Sequence, residues 1–365
     1  AGAPPLPPAP PPGPAVSCTL PPAVATMPPK KKADQQEEAP AAKKTAAAAS
    51  AIAANASKIT TSAKAIAAGK ADMIERTPTP RKPRAESGLV LVHWNVGGLN
   101  GLLNGKNADE RKALLSALVE AEKPDVLAIS EHKLQQKNVA AAEAALLGLL
   151  PGYTAHWAVC TAKNGYSGVV CLVRSGVEVS SVSLDAVESI NEGRTVSIEF
   201  PDCHAVAAYV PNAGQDLKRL DYRIDTWEPA MRSYLQTLQA SGKPVVLFGD
   251  LNVAHLDADI WNVTAKHVPK SAGCTPRERA AFGALLASGP FVDCFRQLWP
   301  DASGAFSYWS TRSGNQLLNR GLRLDYAVAS ASLAAPGAAL SLHDCAYLAE
   351  YAPNGDHAPS LVALA

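Results

Sequence analysis

Apolar residues along this chain fall into short runs that end on polar side chains. GLVLVHWN (88–95) alternates small and large apolar positions and closes on Asn95, before a Gly97-Gly98 turn. KPDVLAISEHK (123–133) repeats the theme and reaches Glu131, and PVVLF (244–248) leads through GDLNVAH to Asp250, Asn252 and His255. Short continuous apolar runs of this kind predict buried strands. PGYTAHWAV with YSGVVCLV (166–173), and RTVSIEF (194–200) with HAVAAYV (204–210), read as neighbouring strand pairs. LRLDYAVAS and a stretch around 339–344 add further strands, and NGDHAPSLVALA closes the chain. On an extended chain Asp250 and Asn252, two residues apart, would project from the same face.

Helical spacing appears between the strands. ADERKALLSALVEA (108–121) carries acids in its first turn, where they oppose the positive end of the helix dipole. A second helix is expected over 139–149, and a long one over 217–240 with Pro229 kinking it. TPRER predicts a capped start, with Thr275 at N-cap, Pro276 at N1 and Glu278 at N3. Strands arrive in neighbouring groups with helices between some of them. That order predicts an α/β fold of two packed sheets with helices outside, not a doubly wound parallel sheet. Two roughly matched halves fit the same order.

Composition divides the chain. Residues 1–29 hold 12 of the 29 prolines, and 30–87 is Ala- and Lys-rich. Neither stretch has the large apolar residues a core requires, so 1–87 is expected to be a disordered N-terminal tail and 88–365 the catalytic domain. Met27 opens a more ordinary-looking start, so 1–26 is read as upstream sequence or part of a longer precursor. The tail holds 12 Lys/Arg against 6 Asp/Glu, leaving 22 basic and 27 acidic residues in the body. A basic arm on an acidic body fits contact with a polyanion, and the PPKKK and PRKPR clusters fit nucleic-acid contact or import factors. These clusters favour the nucleus, and the Ala/Ser-rich tail also allows a plastid or mitochondrial address. No apolar run approaches the ~18 residues a membrane span needs. Seven scattered cysteines without a C-x-x-C pair read as buried thiols, not as a disulfide framework or zinc site.

The polar residues at strand ends carry the chemistry. Asn95, Glu131, Tyr209 with Asn212, Asp250 with Asn252, Asp325, and Asp356 with His357 each sit at or just beyond the end of an apolar run. Taken singly, each has a bland structural explanation. Together, sheets would bring these ends to one rim, giving acids, amides, one Tyr and one Asp-His pair. Such oxygen donors suit Mg²⁺ or Mn²⁺, and a hard cation beside a His and a water-orienting Asp equips a site for phosphodiester hydrolysis.

WNVGGL, PDVLAISEHK, YVPNAG, GDLNVAH, TPRERAAF, GLRLDYAVAS and GDHAP together resemble the exonuclease III-type apurinic/apyrimidinic (AP) endonucleases of the endonuclease/exonuclease/phosphatase superfamily. The resemblance implies a four-layer α/β sandwich with two mixed β-sheets flanked by helices. It implies base excision repair of double-stranded DNA: hydrolysis 5′ to an abasic site, with 3′-phosphodiesterase and 3′→5′ exonuclease side activities, by a monomer. Glu131 would be the main metal ligand, with Asn95 and Asp356 beside it and a second cation position at Asp250 and Asn252. Asp250 would activate water, Asn252 hold water and phosphate, and His357, oriented by Asp325, bond the scissile phosphate. Tyr209 and Asn212 would contact the same phosphate, Lys133 would serve DNA, and Tyr308, Leu322 and Leu324 would line the pocket for the flipped abasic sugar.

The chain departs from the family pattern at several places. Gly97 replaces a metal-binding Asp, Asn100 an Arg, His132 a Thr, and Leu322 a pocket Trp. Asn354-Gly355 stands for Gly-Ser. The loss at Gly97 is expected to weaken Mg²⁺ binding, and Leu322 to loosen the pocket. The rival expectation is a catalytically weakened nucleic-acid-binding scaffold on the same fold.

Overall fold

The computed structural model of the protein describes residues 73–187, 191–311, 315–352 and 355–365. The Pro-rich segment, Cys18, Met27, PPKKK and Asn354 lie outside the described residues. Two six-stranded sheets form the body. The first contains β1 (Val90–Asn95), β2 (Val126–Ser130), β3 (Tyr153–Ala158), β4 (Val169–Arg174), β11 (Leu342–Tyr347) and β12 (Ser360–Leu364). The second contains β5 (Ser181–Leu184), β6 (Thr195–Glu199), β7 (His204–Tyr209), β8 (Val245–Asp250), β9 (Phe291–Asp293) and β10 (Asp325–Ser330). Their orders are β11-β12-β1-β2-β4-β3 and β5-β6-β7-β8-β10-β9. Both sheets are mixed: β1–β2 and β7–β8 run parallel, and the other paired neighbours antiparallel. The parallel pair sits at the centre of each sheet, which bears out two matched halves.

Alternation along the strands builds the layers. Leu91, Val126, Ala128 and Cys171 pack from the first sheet against Ala205, Ala207, Val246 and Phe248 of the second. The opposite face of the first sheet, with Val92, Trp94, Leu127 and Ile129, packs on α1 (Leu99–Asn104), α2 (Ala108–Glu122) and α3 (Val139–Leu149). Val206, Leu247 and Val328 of the second sheet meet Met231 and Leu235 on α4 (Glu228–Gln239), Trp227 just before it, and Phe282 on α5 (Pro276–Ser288). Strands covered on both faces have no polar side to display, so they read as unbroken apolar runs. The result is the four-layer sandwich.

Local differences from the expected elements have identifiable causes. The long helix expected over 217–240 is divided: a π-turn, Arg223–Trp227, precedes α4, and Pro229 falls in the first turn of α4. Weakly apolar β5 and the short α1 escape the sequence pattern. Isolated bridges also link Tyr308 to Leu322 and to His357. The capping box of α5 forms as TPRER predicts, with Thr275 accepting from Glu278 N.

Part of the segment assigned to the tail contacts the body. Ile74 N bonds Leu318 O at 3.0 Å and Thr77 N bonds Ser303 O at 2.9 Å. Arg81 pairs with Glu122 and Asp344, and Arg84 with Asp125. Two arginines of PRKPR are thereby engaged by the protein's own acids.

The turn after β8 is fixed from below by Arg223. This guanidinium is fully buried and donates to Leu251 O at 2.7 Å, Asn252 O at 2.6 Å and Glu278 Oε1 at 3.1 Å, with Glu228 at 3.4 Å. Breaking a buried ion pair strands the remaining charges and costs about 3–5 kcal/mol, whereas an exposed pair contributes about 0–1 kcal/mol. R223M is therefore expected to lower unfolding free energy in urea by about 3–5 kcal/mol, and R81A, at a part-exposed pair, by about 1 kcal/mol or less. Equal losses would refute the assignment of Arg223 as the fixed point of this turn.

Candidate active site

Register assembles the site. Tyr209 of β7 and Asp325 of β10 both lie level with Asp250 of β8. Asn95 lies level with Ser130, one residue before Glu131. Asp325 and His357 were expected at the ends of apolar runs, yet Asp325 opens β10 and His357 precedes β12. Both still reach the rim, because β10 runs antiparallel to β8 and β12 antiparallel to β1. A strand's start then lies beside its neighbour's end.

Side chains cross between the sheets here. Asn95 Nδ2 donates to Asp250 Oδ2 at 2.8 Å, and the Tyr209 hydroxyl donates to Glu131 Oε1. Lys133 Nζ stands 3.0 Å from Glu131 Oε2 and 3.2 Å from Gly97 O. Asp250 and Asn252 do not share an extended face as expected. Asn252 has φ 51°, and its N–H donates to Asp250 Oδ1 at 2.9 Å, an Asx turn. The Asn252 carboxamide accepts from Asn212 Nδ2 at 2.8 Å and donates to Val210 O at 2.9 Å. His255 turns away, its ring 4.8 Å from that of Phe282.

His357 Nδ1 lies 2.9 Å from Asp325 Oδ2, and its Nε2 lies 3.7 Å from Asp250 Oδ2. Burial opposes a charge on His357, but Asp325 and Asp250 outweigh it and lift its pKa to about 10. Burial likewise opposes ionisation of Asp325, yet the adjacent His357 holds its carboxyl well below the usual range. Burial, with Asp325 adding to it, raises Asp250 to about 7 against the pull of His357 and Asn95. An imidazolium–carboxylate pair thus stands beside a carboxylate poised to exchange a proton near neutral pH. Burial and then Glu131 push the Tyr209 hydroxyl well up, so it remains a donor.

The polar residues read from the sequence gather at this rim, whereas Leu324, expected to line the sugar pocket, is buried behind the cavity and is not among its lining residues. Asp356 lies beside Gly97, where a Cβ would stand 3.8 Å from Asp356 Oδ1. Tyr308 packs 4.9 Å from the His357 ring and lines a cavity of about 340 Å³ with Leu322, Trp261, Val268 and His267. Leu324 is buried against Tyr308 and Leu322. His132 is neutral at ordinary pH, burial lowering its pKa to about 4. Its ring fills the space over Gly168, where a Cβ would approach to 2.3 Å. That packing supports the turn in which Glu131 and Lys133 both adopt positive φ.

Two kinds of group compete as cation holders. Ligand atoms of Asp250, Asp325 and His357 lie within 4.8 Å of one another. A protonated imidazole has no lone pair to offer, however, and His357 and Asp325 already bond each other. Glu131, the Asn95 carboxamide and Asp356 supply oxygen donors at the more open part of the rim, and this chemistry fits a hard divalent ion. Asn95 and Asn252 alike have both side-chain ends hydrogen-bonded, and each amide oxygen keeps a second lone pair.

Sequence reading missed three supporting residues: His93, Arg223 and Arg194. Arg194 is fully buried, donates to Tyr209 O at 2.9 Å and lies 5.0 Å over its ring. His93 carried a signal, being a polar residue two positions before Asn95 inside an apolar strand.

Comparison with known proteins agrees with this geometry. Residues 92–347 match the model of the Endonuclease/Exonuclease/phosphatase family. The DNA repair nuclease APEX1 of Danio rerio is 39% identical over 245 residues, covering 67% of this chain and 74% of that protein. An exodeoxyribonuclease of Bacillus subtilis is 36% identical over 246 residues, covering 67% of this chain and 89% of the relative. The crystal structure of AP endonuclease LMAP from Leishmania major superposes with a TM-score of 0.68 at 31% identity, over 83% of this chain and 98% of that one. The chain therefore belongs to the endonuclease/exonuclease/phosphatase family, in its exonuclease III-type AP endonuclease branch.

Proposed function

We propose that this protein hydrolyses the DNA backbone 5′ to abasic sites as a monomeric repair endonuclease. The single observation that carries the reading is the convergence of Asp250, His357–Asp325, Asn252–Asn212 and Tyr209–Glu131 on one rim, with the Tyr308–Leu322 cavity beside it. Several relatives of the chain are named as repair nucleases or AP endonucleases, which supports the same substrate.

In this reading the His357 imidazolium bonds the scissile phosphate and balances its growing charge, with Asp325 fixing the ring. Ionised Asp250 takes the proton of the attacking water, which Asn252 orients. Tyr209 and Asn212 bond the same phosphate as charge moves to the leaving oxygen. Glu131, Asn95 and Asp356 would hold Mg²⁺ or Mn²⁺, which supplies Lewis-acid stabilisation of the phosphate when bound. The abasic sugar enters the cavity under Tyr308 and Leu322. No helix among the described residues is long and apolar enough to cross a membrane. PPKKK supports a nuclear address.

Three measurements test this reading. On a duplex carrying one tetrahydrofuran abasic analogue, Mg²⁺ or Mn²⁺ should support incision 5′ to the analogue while an intact duplex is spared. Tight binding without cleavage at any metal concentration would replace the enzyme with a non-catalytic DNA-binding protein. G97D should reduce the Mg²⁺ needed for half activity by about tenfold. A unit charge ~4 Å from the ion contributes up to about 4 kcal/mol at an effective dielectric of ~20, well above the ~1.4 kcal/mol this requires. An unchanged titration would remove position 97 from the metal site. The pH profile of kcat/KM should rise as Asp250 ionises near 7 and fall as His357 loses its proton near 10. D325N removes the charge that raises His357, so the alkaline limb should move to lower pH. A limb that stays in place would break the assignment.

A further inference from the structure

β1 carries a second imidazole toward the catalytic pair. His93 is fully buried, and its Nδ1 lies 3.4 Å from Asp325 Oδ1, the oxygen that does not face His357. Its other nitrogen, Nε2, lies 2.8 Å from Ser130 Oγ. Neither His93 Nδ1 nor Asp325 Oδ1 reaches hydrogen-bond geometry with any group among the described residues, and at 3.4 Å the two atoms are each other's available partner. At 3.4 Å the contact is long for an N–H···O bond.

The chemistry of the partners settles the direction of this contact. An ionised carboxylate accepts and never donates. Asp325 is held ionised by His357, so the hydrogen between Asp325 and His93 belongs to His93 Nδ1. Nε2 then exchanges a hydrogen bond with the Ser130 hydroxyl, at the last position of β2 and directly before Glu131. The series runs Ser130–His93–Asp325–His357 and ties the strand end that carries Glu131 to the ring that faces Asp250.

We infer that His93 is a positioning residue of the phosphodiesterase reaction: its Nδ1–H holds one oxygen of Asp325 so that the other is presented to His357. The inference rests on the proposed hydrolysis for its kinetic readout but not for its structural one. An apolar residue at position 93 would fill the space yet leave a fully buried carboxylate oxygen without a donor. Asp325 would then be free to rotate about its terminal bond and to share its charge differently between its two oxygens. His357 would lose its fixed orientation while the fold around it persisted.

The test uses three substitutions in the full chain. H93F removes both nitrogens. In H93N the amide nitrogen occupies the place of Nδ1, toward Asp325, and in H93Q it occupies the place of Nε2, toward Ser130. On the tetrahydrofuran duplex, kcat should fall about tenfold in H93F and H93Q with KM little changed, the size expected for one orphaned buried acceptor. H93N should recover most of that loss. In DNA-free protein, the downfield proton resonance of His357 Nδ1–H should shift or broaden in H93F and H93Q and persist in H93N. Equal kcat in H93N and H93Q, or a His357 resonance unmoved in H93Q, would overturn the inference and reduce His93 to a core residue. If H93F does not fold, the comparison of H93N with H93Q decides alone. If wild type leaves the abasic duplex intact, the proposed substrate fails, and the resonance still decides the role of His93.

Discussion

Two hydrogen bonds between the sheets hold the site together: Asn95 to Asp250, and Tyr209 to Glu131. Asn95 joins the first sheet to the second directly, and Tyr209 of the second sheet reaches Glu131, the residue that follows β2 of the first, so the site exists only while the two sheets keep their stacking. The apolar interface of Leu91, Val126, Ala128, Ala207, Val246 and Phe248 maintains that stacking. Burial of this interface is therefore linked directly to catalytic geometry. A change of sheet spacing that a purely apolar core could absorb would break both bonds at the rim.

Burial also sets the charges. Asp250, Asp325 and His357 share a desolvated pocket, in which two carboxylates and one imidazole cannot titrate independently. Proximity decides the outcome: Asp325, at 2.9 Å, takes the imidazolium as its partner, while Asp250, at 3.7 Å, keeps a raised pKa. One residue becomes a permanent counter-charge and the other a carboxyl that titrates near neutral pH. The same short polar side chain serves two roles because distance to a single ring differs by less than an ångström.

The departures from the family pattern fall on the more open edge of this arrangement. Gly97 borders Asp356, and Leu322 borders the cavity under Tyr308. The buried machinery keeps its members, namely Asp250, Asp325, His357, Asn252 and Tyr209. Their mutual hydrogen bonds make each costly to replace, whereas a side chain lost beside open space leaves no orphaned partner. The departures at Gly97 and Leu322 accordingly leave the buried hydrogen bonds intact.

The sequence by itself determined most of the strands, the capped helix at Thr275 and the set of polar residues that end or begin the apolar runs. Those features depend on local spacing and on residues within a few positions of one another. It also carried the two-sheet organisation, because grouped strands with few intervening helices exclude a doubly wound sheet. Tertiary structure alone decided how the polar residues are used. That Asp250 meets Asn252 through a left-handed turn, and not along an extended face, depends on Arg223, whose contacts reach Leu251, Asn252 and Glu278 from a distant π-turn. That Asp325 and His357 reach the rim from the starts of strands depends on antiparallel pairing. The role of His93 was invisible because its partners, Ser130 and Asp325, are 37 and more than two hundred positions away. Register and sheet stacking bring such residues together, and no local pattern of hydrophobicity encodes either.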